Sequence, residues 1–308
     1  MMRITTLGLL ILTSMLHMLP VTVHAQEVHS RFFTASDGTR LHYLEAGNGS
    51  KTLAFIPGWL MPAAIFDQQI KALSKMYRVV ILDPRSQGQS AIALGSHAPE
   101  RRVMDIKEWL SAANVSDFVL VGWSLGVLES LDFLTRYPAD GLRGLVLIDN
   151  SIGVGKSPGG GSPKFVETMR DDTKREAYLR KFANGLYRSP PPSAIAQAVV
   201  ESTLKAPPEA AIQLLQQPYP RTYWRDAVLR QSVPVLYAVT PKFREQASIL
   251  QEKRAPALVT IDIYEKAGHA LFVDEPQRFN RAVLDLASKA FRSNDSDPNQ
   301  HTGSSDKQ

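Results

Sequence analysis

The chain contains no cysteine. Disulfide staples, a thiol nucleophile and a cysteine-ligated metal are therefore excluded, and stability must come from the hydrophobic core alone. An excess of charge of one sign is also missing. Lys and Arg total 35 against 30 Asp and Glu, and the resulting +5 is spread along the chain without a basic run. Nucleic-acid binding is not expected from such a pattern. No phosphate loop, metal-ligand cluster or nucleotide fingerprint is visible, so no cofactor is expected. After residue 25 no stretch is long and apolar enough to cross a bilayer.

What is present has a globular balance, with 44% hydrophobic and 21% charged residues. A length of 308 residues suits one α/β domain with an elaboration. Residues 1–25 read as a secretory signal. Arg3 supplies a positive start, Leu7 to Leu19 an apolar segment, and Val23-His24-Ala25 a small-residue cleavage site. The mature chain is expected to begin near Gln26, in the periplasm or outside the cell, with no stable membrane span once the signal is removed.

The most informative segment is Phe118-Val119-Leu120-Val121-Gly122-Trp123-Ser124-Leu125-Gly126. A short β-prone run enters Gly-x-Ser-x-Gly. Leu125, Val127, Leu128, Leu131, Phe133 and Leu134 then recur at roughly helical spacing, up to Tyr137-Pro138. A strand, a tight turn and a helix in this order expose a serine hydroxyl over a sheet edge. Ser124 is thus the candidate nucleophile for attack on a carbonyl carbon. A serine hydroxyl needs a base, and there are seven histidines. His17 and His24 lie in the signal, His301 in the tail, His29 and His42 before the core strands, and His97 in a loop upstream of the serine. Only His269 follows Ser124 within the expected fold, just after the last expected strand, where the chain order serine, acid, histidine places the base.

The rest of the chain alternates strands and helices. Arg31–Thr34 and Thr39–Glu45 flank the turn Ser36-Asp37-Gly38. Strands are expected at Thr52–Ile56, Tyr77–Leu82, Leu142–Ile148, Val233–Val239 and Leu258–Tyr264. Helices are expected at about Ile65–Met76, Arg101–Ala113, Arg244–Glu252 and Pro276–Phe291. This rhythm predicts an α/β fold, a mostly parallel sheet with helices on both faces. Between Ser151 and Arg230 it breaks. A Gly/Pro/Ser-rich loop to Ser162 leads into helical stretches with no convincing strand, which reads as an inserted helical cap. The expected organisation is a core of residues 26–150 and 231–292, a cap of 151–230, and a polar, disordered tail of 293–308.

With these pieces in place the chain resembles a capped α/β-hydrolase of the serine esterase and non-haem haloperoxidase-like group, from about Phe32 to Phe291. The resemblance rests on Pro57-Gly58-Trp59, Asp83-Pro84-Arg85-Ser86-Gln87-Gly88-Gln89-Ser90, Gly122-Trp123-Ser124-Leu125-Gly126, and Gly268-His269 followed by Asp274-Glu275-Pro276. It implies a serine hydrolase acting on carboxylic esters, lactones or thioesters through an acyl-enzyme on Ser124. The alternatives are a catalytically impaired binding protein, or an acyltransferase or perhydrolase. A serine nucleophile excludes the dehalogenase and epoxide-hydrolase types, which need a carboxylate.

Three positions depart from the family pattern. Pro57-Gly58 stands where His-Gly is usual. The oxyanion donors implied by the resemblance, the backbone amides of Trp59 and Leu125, do not depend on that side chain. Ser86 stands where a glycine is usual, in what reads as a structural turn. The loop Thr240-Pro241-Lys242-Phe243-Arg244-Glu245 lacks the aspartate that most relatives carry there. Some relatives place the acid one strand earlier, which implies Asp149, with Glu245 as the alternative. Asp226 belongs to the cap and Asp262 to a strand. Apolar cap residues (Phe165, Met169, Phe182, Leu186, Tyr187, Leu214, Leu215, Tyr219, Tyr223 and Trp224) are pooled as candidates for a pocket taking a small-molecule ester with an apolar part. Trp59 and Trp123 are expected to shape its wall.

Overall fold

The computed structural model describes residues 27–156 and 164–295. The signal reading for residues 1–25 and most of the tail lie outside the described residues, as do residues 157–163 of the Gly/Pro/Ser-rich loop and His17, His24 and His301.

Eight strands form one sheet: β1 (His29–Thr34), β2 (Arg40–Ala46), β3 (Lys51–Ile56), β4 (Arg78–Asp83), β5 (Asp117–Trp123), β6 (Leu142–Ile148), β7 (Val235–Val239) and β8 (Val259–Ile263). Their spatial order is β1-β2-β4-β3-β5-β6-β7-β8. β1 pairs with β2, and β2 with β4, antiparallel. From β4 through β8 every pairing is parallel. The parallel strands are nearly continuous apolar runs because both faces are covered.

Side-chain alternation divides the inner strands between two cores. Leu53, Phe55, Val79, Ile81, Val119 and Val121 face one cluster. Ala54, Ile56, Val80, Leu82 and Leu120 face the other, with Trp109 at 0% exposure. Outside the segment between β6 and β7 the helices are α1 (Asp67–Leu73), α2 (Pro99–Ala112), α3 (Leu125–Arg136), α9 (Arg244–Lys253) and, after the last strand, α10 (Leu271–Asp274) and α11 (Pro276–Asp295). Between β6 and β7 come α4 (Lys164–Arg170), α5 (Asp172–Asn184), α6 (Ser193–Lys205), α7 (Pro208–Leu214) and α8 (Arg221–Leu229), with no strand among the described residues of this insert.

Some boundaries differ from expectation. The stretch read as one helix from Ile65 to Met76 is a 3-10 turn, Ala63–Phe66, followed by α1. The short α10 lies between His269 and α11 and carries no sequence signature of its own. The closing helix continues to Asp295, past the boundary set for the polar tail at residue 293.

Candidate active site

β5 delivers Ser124 at the carboxyl edge of the sheet, between two glycines that are there for lack of room. A Cβ on Gly122 would lie 2.4 Å from the Gly126 carbonyl oxygen, and one on Gly126 would lie 2.3 Å from that of Ile56. Ser124 itself has φ 54° and ψ −119°. A side-chain-bearing residue holds such a conformation only when its surroundings impose it, at a cost of about 1–3 kcal/mol. Here they do: its N–H donates to Ile148 O at 2.9 Å, and its carbonyl accepts from Val127 N at 3.0 Å and Asn150 Nδ2 at 2.7 Å.

His269 lies within hydrogen-bond distance of both Ser124 and Asp149. Nε2 is 2.9 Å from Ser124 Oγ, and Nδ1 is 2.7 Å from Asp149 Oδ2. Asp149 is 3% exposed and stands at φ 46° directly after β6. Its other oxygen, Oδ1, accepts both the N–H and the hydroxyl of Thr240, each at 2.7 Å. An ionised carboxylate can only accept. In the neutral imidazole Nδ1 is therefore the donor, and Nε2 is left to accept the serine proton.

Glu245 is not part of this arrangement. It opens α9, is exposed, and its carboxylate lies beside Gly155, where a Cβ would sit 3.3 Å from Oε1. Asp262 pairs with Arg278, and Asp226 with Arg225 at 2.8 Å.

The loop before Trp59 abuts the serine, since a Cβ on Gly58 would lie 3.0 Å from Ser124 Cβ. Leu125 is the first residue of α3, so its amide is one of the N–H groups a helix cannot satisfy internally. Trp59 is 5% exposed. Its indole N–H donates to Ala211 O at 2.8 Å, and its ring meets Phe165 and Phe182 at centroid distances of 5.6 and 5.0 Å. Ser202 of α6 donates to Leu60 O at 2.9 Å and accepts from Gly88 N at 2.8 Å. The insert thus grips the loop that carries the Trp59 amide.

It also grips the histidine loop. Asp274 accepts Gly268 N on Oδ2 at 2.7 Å, and Arg188 N and Ser189 N on Oδ1, each at 2.9 Å. Ala270 N donates to Leu186 O at 2.9 Å. From below, Trp123 Nε1 donates to His269 O at 2.9 Å. Trp123 is 1% exposed, so it braces the histidine and does not form the pocket wall expected of it. Asp274 and Thr240 are functional candidates that the sequence reading did not assign. Asp274 stands in the Asp274-Glu275-Pro276 segment of the resemblance, which gives it no role by itself, and Thr240 stands in the loop read only for a missing aspartate.

A cavity of about 410 Å³ is lined by His269, Leu186, Gly185, Phe182, Lys181 and Tyr178. Tyr178 also lines a second cavity of about 710 Å³, with Phe165, Ile212 and Leu215. Of the pooled cap residues, Phe165, Phe182, Leu186 and Leu215 therefore line cavities. Tyr219 instead stacks on Tyr223, Trp224 meets both edge-on, and the three pack with the core on the other face of the sheet, where Tyr223 donates to Asp132 of α3 at 2.5 Å. Met169 and Leu214, both 0% exposed, are core residues.

The departure at Ser86 is a turn at φ 64°, the region where glycine is usual. The serine hydroxyl compensates locally. It accepts Ala93 N at 3.0 Å and lies 2.8 Å from Nε2 of buried His97. Among the described residues no group of three or more His, Asp or Glu is placed to hold a metal ion, and no helix is long and apolar enough to cross a membrane.

Residues 53–282 match the Alpha/beta hydrolase family. A non-heme haloperoxidase of Rhodococcus erythropolis is 32% identical over 118 residues, 38% of this chain and 43% of that protein. The human serine hydrolase BPHL is 31% identical over 110 residues, 34% of this chain and 38% of that protein. The matching stretches thus span less than half the length of these relatives. Among solved structures, a putative aryl esterase from Burkholderia cenocepacia superposes with a TM-score of 0.73 at 22% identity, covering 86% of this chain and 100% of its own.

Proposed function

Because the chain belongs to the alpha/beta hydrolase family, we propose that it is an exported serine hydrolase that cleaves carboxylic esters through an acyl-enzyme on Ser124. The observation that carries this reading is the His269 ring, which meets Ser124 Oγ with one nitrogen and Asp149 with the other.

In this mechanism His269 Nε2 takes the Ser124 proton as Oγ attacks the ester carbonyl. Negative charge develops on the carbonyl oxygen and is received by the amides of Trp59 and Leu125. Asp149 holds the imidazole tautomer and stabilises the imidazolium without itself being protonated. His269 then returns the proton to the leaving alcohol, and next activates a water that releases the acid. The insert acts as a cap. Phe182, Leu186 and Tyr178 receive the apolar part of a small or medium substrate. Lactones and thioesters fit the same chemistry.

The test is turnover of a chromogenic short-chain ester together with labelling by a fluorophosphonate. Ser124→Ala abolishes turnover and the fluorophosphonate adduct at position 124 while circular dichroism stays unchanged. Turnover at wild-type rate in that variant overturns the assignment. Export is tested separately: the mature protein, recovered from outside the cytoplasm, begins near Gln26.

A further inference from the structure

His42 and Asp83 take no part in the mechanism above, yet they repeat its geometry. His42 Nδ1 is 2.7 Å from Asp83 Oδ2, and His42 Nε2 is 2.8 Å from Ser30 Oγ. The corresponding distances around His269 are 2.7 and 2.9 Å. Sheet register brings the three together. His42 of β2 stands opposite Asp83 at the end of β4 and opposite Phe32 of β1, two residues along from Ser30.

The direction of the hydrogen bonds follows from the acid. Asp83 also accepts backbone N–H groups from Ala63 and Gln89, the latter at 2.7 Å. A carboxylate in that position can only accept, so Nδ1 of the neutral ring donates to it. Nε2 is then an acceptor, and the Ser30 hydroxyl donates into it. The imidazole is 0% exposed and lies under the Phe32 ring, with centroids 4.9 Å apart, whereas Ser30 is exposed on the edge strand. A base shielded from water behind a hydroxyl open to reagent is the arrangement that activates a serine.

We propose that Ser30, His42 and Asp83 form a second activated-serine site, at which Ser30 accepts the acyl group of small activated esters. Ser30 Oγ attacks the carbonyl carbon, a bond forms between them, and the bond to the leaving phenolate or alkoxide breaks. The hydroxyl proton passes to His42 Nε2 and from there to the leaving group.

Ser30 differs from Ser124 in one respect that limits what the site does. It lies inside a regular strand, paired opposite Leu44, with no helix opening behind it. Without the helix amide that serves Ser124, the oxyanion loses support usually worth about 10²–10³ in rate. Acylation is therefore slow, and release of the acyl group slower, so the site is a stoichiometric acceptor and not a second turnover site.

The experiment uses the full mature chain carrying Ser124→Ala. It is treated with 4-nitrophenyl acetate and, separately, with a fluorophosphonate, and adducts are mapped by peptide mass spectrometry. Exposed Ser189 and Ser248 serve as controls in the same molecule. Ser30 is expected to label about 100-fold faster than either, the size of effect a positioned base contributes. His42→Gln brings Ser30 down to the control rate. The internal ratio stands even if that variant fails to fold. Labelling of Ser30 no faster than Ser189 and Ser248 overturns the proposal. Labelling of Ser124 in the wild type is scored on its own and reports only on the ester-hydrolase reading.

Discussion

Thr240 donates twice to Asp149, through its N–H and its hydroxyl, both to Oδ1 at 2.7 Å. The oxygen left over is the one that meets His269. The first residue of the loop that lacks an aspartate thus serves to orient the aspartate at the end of the neighbouring strand. β6 and β7 are adjacent and parallel, so their carboxyl ends present Asp149 and Thr240 side by side.

Asp149→Asn should keep the fold and the hydrogen bond while favouring the wrong imidazole tautomer. The expected loss in kcat is about 10⁴-fold. Glu245→Gln should change kcat less than about twofold, because its side chain lies beside Gly155. The check is steady-state hydrolysis of one chromogenic ester by both variants. The reverse ranking would move the acid to Glu245.

Much of this was legible in the chain. Ser124 and His269 were reachable because a local motif and the order of residues constrain them. The identity of the acid was not, because the choice lies between the ends of two strands that are 91 residues apart, Asp149 and Thr240, and touch only through the sheet. The turned-away aromatics of α8 escaped for a related reason. A helical pattern shows that a face is apolar, but not which neighbour covers it, and here α3 does. His42 precedes Ser124 in the chain, where the order serine, acid, histidine places no base. Its partners Ser30 and Asp83 come from the two flanking strands; the turn Ser36-Asp37-Gly38 announces the hairpin of β1 with β2, but nothing local records that β4 pairs on the other side.

Asp274 ties the histidine loop to the insert by accepting three backbone N–H groups, one of them from the residue before His269. Asp274→Ala should let the ring drift from Ser124 and lower kcat by about 10–100-fold, since displacements near 1 Å cost on that order. KM should change little. Fluorophosphonate labelling should slow in parallel, which a purely global loss of stability would not produce in the surviving folded fraction. An unchanged labelling rate would remove Asp274 from the positioning of His269.

Gly126→Ala places a methyl group 2.3 Å from the Ile56 carbonyl, which is backbone and has no rotamer to escape into. A destabilisation of about 3 kcal/mol or more is expected, as for overpacked cores. Urea denaturation measures it. A variant of near wild-type stability would mean that β3 and α3 can separate at little cost.

His97 supplies a pH signature. Burial, with the charges of Arg85 and Arg102 adding to it and Asp37 opposing, lowers its pKa from 6.5 to about 4. Its contribution to stability is present above the unfolded value. It is lost as pH falls from about 6.5 through 4, where the unfolded chain takes up a proton that the folded chain refuses. His97→Gln should therefore flatten the slope of Tm against pH in that window and leave it unchanged above pH 7. Equal slopes for the two proteins would contradict the burial argument.

Trp123 holds the carbonyl of His269 and keeps its ring centroid 5.2 Å from the imidazole, tilted by 45°. In the proposed mechanism the imidazole gains and loses a proton in every cycle, which makes so close an indole a built-in optical probe. A charged imidazolium quenches a neighbouring excited indole more strongly than a neutral one. The emission of this single tryptophan, isolated by replacing the other three, would follow the charge on the general base during turnover without any label being attached.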